Sequence, residues 1–274
     1  MSLTVCILAS SSKGNAVYVS SDTTAILVDA GISARAIEQR LEEIGVSPGS
    51  IEAVCLSHEH DDHVRGVPRF HQRSEAHLYA NSGTMEALQR APKHRGLPWN
   101  IFTTGNPFCI GDLEIDSFSV PHDAYEPVGF VIRAGSVSIG IATDLGSPTH
   151  LVRERLRHCR MIVLEANHDE HLLLEAERPW PLKQRIRGRQ GHLSNDQAAE
   201  FLESIAAPKL EAVFLAHLSE ACNRGDLAVG AVRASLEKSG HSHIRIALSY
   251  PDRVSEIWRP GALMAATAAP GHES

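Results

Sequence analysis

Short apolar runs separated by polar turns recur along the chain and predict β-strands. Several of these runs are followed directly by a polar residue, so the pattern places polar side chains at the ends of strands. The predicted strands are Leu3–Leu8, Ala16–Ser20, Ala25–Val28, Ile51–Leu56, His77–Ala80, Ile101–Thr104, Leu113–Val120, Val128–Ala134, Val137–Thr143, Met161–Leu164, Ala212–Ala216 and Ile244–Leu248.

Apolar residues at helical spacing predict helices between these strands. The first begins after Ser33, repeats through Ile37 and Leu41, and ends at Gly45. The others are predicted after His63, at Thr84–Arg90, at His150–Leu156, from the capping box at Ser194 to about Ile205, and at Leu227–Leu236. Strands followed by helices in both halves predict an α/β fold, a four-layer αββα sandwich. We expect one domain over residues 1–260 and a disordered Ala-, Gly- and Pro-rich tail over 261–274.

Composition places the chain among soluble globular proteins. Its 274 residues are 43% hydrophobic and 22% charged, which is enough to bury a substantial core. The formal net charge of −7 excludes the global basicity of a non-specific nucleic-acid binder. Any nucleic-acid contact therefore needs a local basic patch.

The cysteine pattern and the N-terminus predict a cytoplasmic protein. The five cysteines are widely spaced, odd in number and without a CxxC pair, which favours reduced thiols. The first residues lack the charged region of a signal peptide, and no apolar stretch is long enough to span a bilayer. We expect no membrane partner, and the sequence leaves a homo-oligomer open.

Polar chemistry is concentrated directly after the fourth predicted strand, where three histidines and three carboxylates fall within six residues. So many titrating groups beside a core are costly unless a cation compensates them. His58 and His60 are two residues apart, so their imidazoles point the same way in an extended segment. Asp62 and His63 fall at a predicted helix N-terminus, which keeps a carboxylate ionised. These four residues are predicted metal ligands; the alternative is a solvated loop.

Three later residues follow apolar strands as isolated potential ligands, namely His122, Asp144 and His217. Ligands in α/β folds collect at the carboxyl ends of strands. A lone histidine there is more often an ordinary loop residue, but the dense cluster favours ligation. Since a carboxylate such as Asp144 can bridge two ions, the seven residues predict a site for two divalent metal ions, Zn²⁺ or Mn²⁺.

The segment His58–His63 resembles the HxHxDH signature of the metallo-β-lactamase fold, and His122, Asp144 and His217 match its later ligand positions in order. The resemblance runs from about Leu3 to Leu248. The resemblance is more specific to one branch of the fold family, the YycJ/WalJ (VicX) proteins. It lies in short stretches at 9–16, 121–124, 143–146, 165–169, 191–195 and 215–219. Ser12–Lys13 departs from the more usual Gly-Ser type of residue.

The resemblance implies a metal-dependent nuclease, in family members an exonuclease that acts on DNA from a 5′ end. The large β-CASP insertion of many family nucleases has no room in this chain. The competing function is a small-molecule hydrolase on the same fold, acting on a thioester, a lactone or a cyclic nucleotide. A regulatory binding protein with a vestigial site is disfavoured because no ligand position is missing.

Two ions about 3.5–4 Å apart can activate a water and neutralise a scissile phosphate. Asp61 or Asp62 is expected to help orient that water, although Asp62 is also a predicted ligand. His192, just before a helix N-terminus that suits a phosphate, is the predicted general acid, with His168 as the second candidate. Alternatively, His192 only belongs to a helix cap. Glu165, at another strand end, is expected to support an imidazole ligand.

A basic segment at 178–189 offers five positive charges in twelve residues, enough for several phosphate contacts. Its alternative is a solvated loop. The family resemblance implies DNA rather than RNA as the substrate. The predicted substrate-binding residues are Ser11, Asn15, Lys183, Arg185, Arg187, Ser194, Asn195 and Asn223.

Overall fold

Two β-sheets packed face to face form the centre of the fold in the computed structural model, which describes residues 2–261. Almost all of the tail predicted to be disordered lies outside these residues. The first sheet contains, in spatial order, β1 (Thr4–Ala9), β2 (Ala16–Ser20), β3 (Ala25–Val28), β4 (Ala53–Cys55), β5 (His77–Asn81) and β6 (Trp99–Phe102). The second contains, in the reverse of chain order, β7 (Phe108–Ile110), β8 (Leu113–Ser119), β9 (Val128–Ala134), β10 (Val137–Ala142), β11 (Met161–Glu165), β12 (Ala212–Ala216) and β13 (Arg245–Leu248).

Each sheet is half antiparallel and half parallel. Strands β1 to β3 are antiparallel, and β3 to β6 run parallel. In the second sheet β10 to β13 run parallel, and β7 to β10 are antiparallel. Parallel strands put their carboxyl ends at one edge, so the loops after β3 and β4, and those after β10, β11 and β12, can meet there.

Helices cover the outer face of both sheets. Those on the first sheet's side are α1 (Ala34–Glu43), α2 (Asp61–Val64), α3 (Val67–Ser74) and α4 (Ser82–Gln89). Those that follow β10 are α5 (His150–Leu156), α6 (Glu170–Glu175), α7 (Trp180–Arg187), α8 (Asn195–Ile205) and α9 (Gly225–Lys238). Ser33 caps α1, and Ser194 forms the predicted capping box with Gln197 at the start of α8.

Three apolar layers hold the four structural layers together. The inner faces of the two sheets share one core, with Phe130 and Phe214 among its fully buried side chains. A second core lies between the second sheet and its helices, and a third lies between the first sheet and α1 and α3. The predicted αββα sandwich is confirmed. No helix among residues 2–261 is long and apolar enough to cross a bilayer.

The sequence did not predict α6, α7 or β7. The first two lie in the segment after β11 that we interpreted only as polar and basic. Few of their side chains are buried, so the apolar repeat that reveals a helix is weak there, and Pro179 and Pro181 resemble turn signals. Strand β7 has only three residues, too few for a visible alternation.

Candidate metal centre

Six of the seven predicted metal ligands lie in two groups. His58, His60 and His122 form the first, with ligand atoms within 4.8 Å of one another. Asp62, His63 and His217 form the second by the same measure. These side chains come from the loops after β4, β8 and β12, so both sheets contribute to one site.

Asp144 connects the two groups. Its Oδ2 lies 3.0 Å from Nε2 of His63 in the second group. Its Oδ1 lies 3.6 Å from Nε2 of His122 in the first group. Because Oδ1 also lies 3.5 Å from Nδ1 of His217 in the second group, the buried carboxylate lies between the two groups, a placement that suits a residue shared by two ions.

The donor atoms fit divalent cations. Nε2 of His58 is buried and has no hydrogen-bond partner, a costly state unless another group satisfies it. Burial, followed by the charge of nearby His63, holds the pKa of His58 well below its usual value, so this imidazole is neutral. Burial raises the pKa of Asp144, but His217 and His63 outweigh it and hold that pKa well below its usual value. A neutral imidazole beside an ionised carboxylate is a donor set for a divalent metal.

Asp29 and Ser57 orient two histidines of the segment that follows β4. Oδ2 of Asp29 lies 2.7 Å from Nδ1 of His63, and the Ser57 hydroxyl donates to the same oxygen at 2.7 Å. The Ser57 hydroxyl also lies 3.0 Å from Nδ1 of His58. Engaging both Nδ1 atoms leaves both Nε2 atoms for a metal. Asp29 follows an apolar strand as the predicted ligands do, but its role was not predicted from the sequence.

Glu165 supports two further histidines. Its Oε1 lies 2.7 Å from Nδ1 of His217 and 2.8 Å from Nδ1 of His192. Its Oε2 accepts from the backbone N–H groups of Leu145 and Leu193, each at 3.0 Å. Burial raises the pKa of Glu165, but His192 and His217 outweigh it and bring it to about 2, so the carboxylate is ionised. The expected contact between Glu165 and an imidazole is present.

Three residues at the metal centre adopt left-handed backbone conformations. Asp29, Asp144 and His217 have φ values of 61°, 56° and 57°. This region costs a non-glycine residue about 1 kcal/mol or more, because Cβ crowds the following carbonyl oxygen. Each lies just past a strand, where the sharp turn directs its side chain into the site.

The loop between β1 and β2, residues 10–15, packs beneath the candidate metal ligands and supports them. The Asn15 backbone N–H donates to the carbonyl of Asp62 at 2.7 Å, and its side-chain amide donates to the carbonyl of Ser11 at 3.0 Å. The Ser10 hydroxyl donates to the Asn15 side chain and accepts from the His217 backbone N–H at 2.7 Å. Ser11 and Asn15 are buried, so the structure places these two predicted substrate residues beneath the metal loop.

The two predicted general acids have different surroundings. The His192 side chain is 20% exposed and lines a cleft of about 170 Å³, together with Ser12 and Arg178. His168 is fully buried, and neither ring nitrogen has a hydrogen-bond partner. It belongs to neither ligand group. The structure therefore brings His192 to the site and keeps His168 away from solvent.

Internal contacts engage three of the five cations of the predicted basic segment. Lys183 is buried on α7, and its ammonium donates to the carbonyl of Leu174 at 2.5 Å. Arg187 pairs with Glu170 at 2.8 Å, and exposed Arg185 pairs with Asp123. Of these three predicted substrate contacts, the structure brings Arg185 to the cleft that His192 lines.

The polar residues of α8 and its neighbour are also engaged internally. Asn195 and Asn223 are buried and exchange two amide hydrogen bonds, of 2.8 and 2.9 Å. The side-chain amide of Asn223 also donates to the carbonyl of Ala166 at 2.8 Å. Ser194 is the N-cap of α8. These contacts join the loop after β11 to α8 and so hold the backbone beside Glu165.

The fold and the site define a metal-dependent hydrolase, and comparisons with known proteins identify its family. The model of the beta-lactamase superfamily domain matches residues 24–217. Exodeoxyribonuclease YycJ of Bacillus anthracis is 31% identical over 243 residues, 88% of this chain and 91% of that protein. Exodeoxyribonuclease WalJ of Streptococcus pneumoniae serotype 2 is 34% identical over 225 residues, 81% of this chain and 84% of that protein. The chain therefore belongs to the metallo-β-lactamase superfamily, in the branch of YycJ and WalJ proteins.

The fold itself recurs in a solved structure of low sequence similarity. The metallo-β-lactamase fold protein YhfI from Bacillus subtilis superposes with a TM-score of 0.71 at 15% identity. The match covers 94% of this chain and 100% of that one.

Proposed function

We propose that this protein is a DNA exonuclease that removes nucleotides from 5′ ends and uses two divalent metal ions. The observation that carries the proposal is the complete pair of ligand groups joined by Asp144, in a chain whose full-length relatives are named exodeoxyribonucleases. The direction of cleavage rests on the family resemblance. The cytoplasmic location rests on the cysteine pattern.

The side chains divide into two coordination sets. His58, His60 and His122 would hold one ion, Asp62, His63 and His217 the other, with Asp144 between them. Bound metal would activate the attacking water and neutralise charge on the scissile phosphate. Asp62 is 20% exposed, so its carboxylate can both ligate and face an incoming water.

His192 is the proposed general acid. Glu165 accepts from its Nδ1 at 2.8 Å, which fixes the ring and leaves Nε2 for the leaving oxygen. Burial lowers the pKa of His192, but Glu165 and Asp144 outweigh it and raise the pKa above its usual value. The raised pKa keeps a proton available on the ring near neutral pH.

Arginines at the cleft mouth support a phosphodiester substrate. Arg178 and Arg185 line the same cleft as His192. Arg178 has no ionic partner among residues 2–261, whereas Arg185 must exchange Asp123 for a phosphate. A cationic rim above a metal site suits a polyanion better than a neutral thioester or lactone.

Duplex DNA labelled on either the 5′ or the 3′ end, incubated with purified protein and Mn²⁺ or Zn²⁺, tests the proposal. We expect short products that carry the 5′ label and progressive shortening of strands that carry the 3′ label. Asp144→Asn should abolish this activity, while Asp252→Asn, an exposed aspartate, should retain it. Loss of the 3′ label first would overturn the polarity, and turnover of a thioester without DNA degradation would overturn the nuclease function.

The leaving group tests the acid role separately. His192→Gln should lower the rate on DNA about 10²–10⁴-fold with its metal content retained. The same variant should hydrolyse a p-nitrophenyl phosphodiester nearly as fast as the wild type, because that leaving group needs no proton. Equal losses on both substrates would assign His192 to another role.

A further inference from the structure

A second basic surface borders the metal loop on the side of α2 and α3. An open groove of about 440 Å³ is lined by Arg65, Pro68, Arg69, Gln72 and Lys93. The three cationic side chains are exposed. None of them belongs to the predicted basic segment or to the cleft that His192 lines.

Asp61 links this groove to the metal centre. It directly precedes the ligand Asp62 and accepts from Nε of Arg65 at 2.7 Å and from Nζ of Lys93 at 2.5 Å. These contacts hold both cations beside the segment that carries the metal ligands. Arg65 uses only Nε in this pair, so its two terminal nitrogens remain available to donate.

The groove carries excess positive charge. Arg69 donates to the side-chain oxygen of neutral Gln72 at 3.0 Å and has no carboxylate partner among residues 2–261. The carboxylate of Asp61 cancels one of the three positive charges, which leaves the groove with a net charge of +2. In a chain of net charge −7, such a patch attracts polyanions locally.

We propose that the Arg65–Arg69–Lys93 groove binds the sugar–phosphate backbone of the DNA strand beyond the scissile bond, an inference that rests on the proposed nuclease function. Arg65 is the C-cap of α2 and Arg69 lies on α3, so two consecutive helices present cations to one groove. Both arginines can therefore contact phosphates of a single strand that follows the groove. The groove supplies affinity along the strand, without contact to the reacting phosphate.

Binding of DNA without catalysis gives the direct test. Fluorescence anisotropy with a labelled duplex, in the presence of chelator, compares Arg69→Ala with Arg73→Ala. Arg73 lies one turn later on α3, pairs with Glu38, and serves as the matched control. We expect Arg69→Ala to weaken binding about tenfold and to reduce the slope of log K against log salt by about 0.9. Equal affinity and slope in the two variants would overturn the proposal.

Substrate length separates this proposal from the nuclease proposal. With bound metal, Arg69→Ala should raise KM for long DNA and leave both kcat and hydrolysis of a p-nitrophenyl phosphodiester unchanged. A wild-type protein that degrades no DNA would overturn the nuclease function. A wild type that degrades DNA, with Arg69→Ala degrading it at the same KM, would overturn only the groove.

Discussion

Replacing Glu165 with glutamine should weaken one metal site more than the other. The carboxylate has four donors around it, two imidazoles on Oε1 and two backbone N–H groups on Oε2. Glutamine keeps one acceptor oxygen and adds an NH₂ group, so one pair of donors must face another donor. If the NH₂ faces the rings, it forces the proton of His217 onto Nε2, the atom that faces Asp62.

Two general magnitudes give the expected loss of metal affinity at the weakened site. A hydrogen bond to a charged group contributes about 1.5–3 kcal/mol, and losing a contact that orients a metal-binding histidine reduces metal affinity about 10–100-fold. These two ranges agree, because tenfold in affinity is about 1.4 kcal/mol. His58 and His63 depend on Ser57 and Asp29 instead, so the group of His58, His60 and His122 should keep its affinity.

Titration of metal-free protein with Zn²⁺ against a chromophoric chelator measures both sites. We expect two binding phases in the wild type and in Glu114→Gln, whose exposed carboxylate pairs with Arg133. In Glu165→Gln the phase that depends on His217 should weaken about 10–100-fold. Two unchanged phases in a folded variant, or equal weakening of both, would refute the orienting role of Glu165.

Three further outcomes are expected. Gly31→Ala should reduce the metal content measured by elemental analysis, because the added Cβ would lie 1.6 Å from the carbonyl oxygen of Asp62. Gly230→Ala in α9 is the control, because its Cβ would meet open space, and it should stabilise the fold by about 0.5–1 kcal/mol. Asn195→Ala and Asn223→Ala should each lower the free energy of unfolding by about 1–3 kcal/mol in denaturant titrations, and the double variant should lose less than the sum. Chelation should lower Tm, with stability regained by about 2.7 kcal/mol when free metal reaches 100 times its Kd.

The sequence marks the candidate ligands by type and by position, and the structure brings these candidates close together. Histidines and aspartates that follow apolar runs stand out, and the parallel strands then bring them to one edge of the fold. His122, Asp144 and His217 are far apart in the chain, yet each follows the strand that delivers it.

The residues around the ligands are harder to predict, because their roles depend on partners that the chain brings together only when folded. Asp29 has the same sequence context as a ligand, but its carboxylate is 2.7 Å from the far nitrogen of His63. The sequence context of Lys183 favours a phosphate contact, but in the folded chain its ammonium donates to the carbonyl of Leu174. A one-dimensional pattern carries type and spacing, whereas burial and pairing decide which charges reach the substrate.

The left-handed backbone at Asp29, Asp144 and His217 has a consequence for protein engineering. Glycine adopts these φ values without the strain of a Cβ atom, but replacing any of the three with glycine also deletes buried contacts, such as those of Asp29 with Ser57 and His63. The relieved strain of about 1–3 kcal/mol therefore opposes the loss of those contacts, and the sign of the stability change differs from one position to the next. A screen for stabilised variants should for this reason retain a catalytic counter-selection at these three positions.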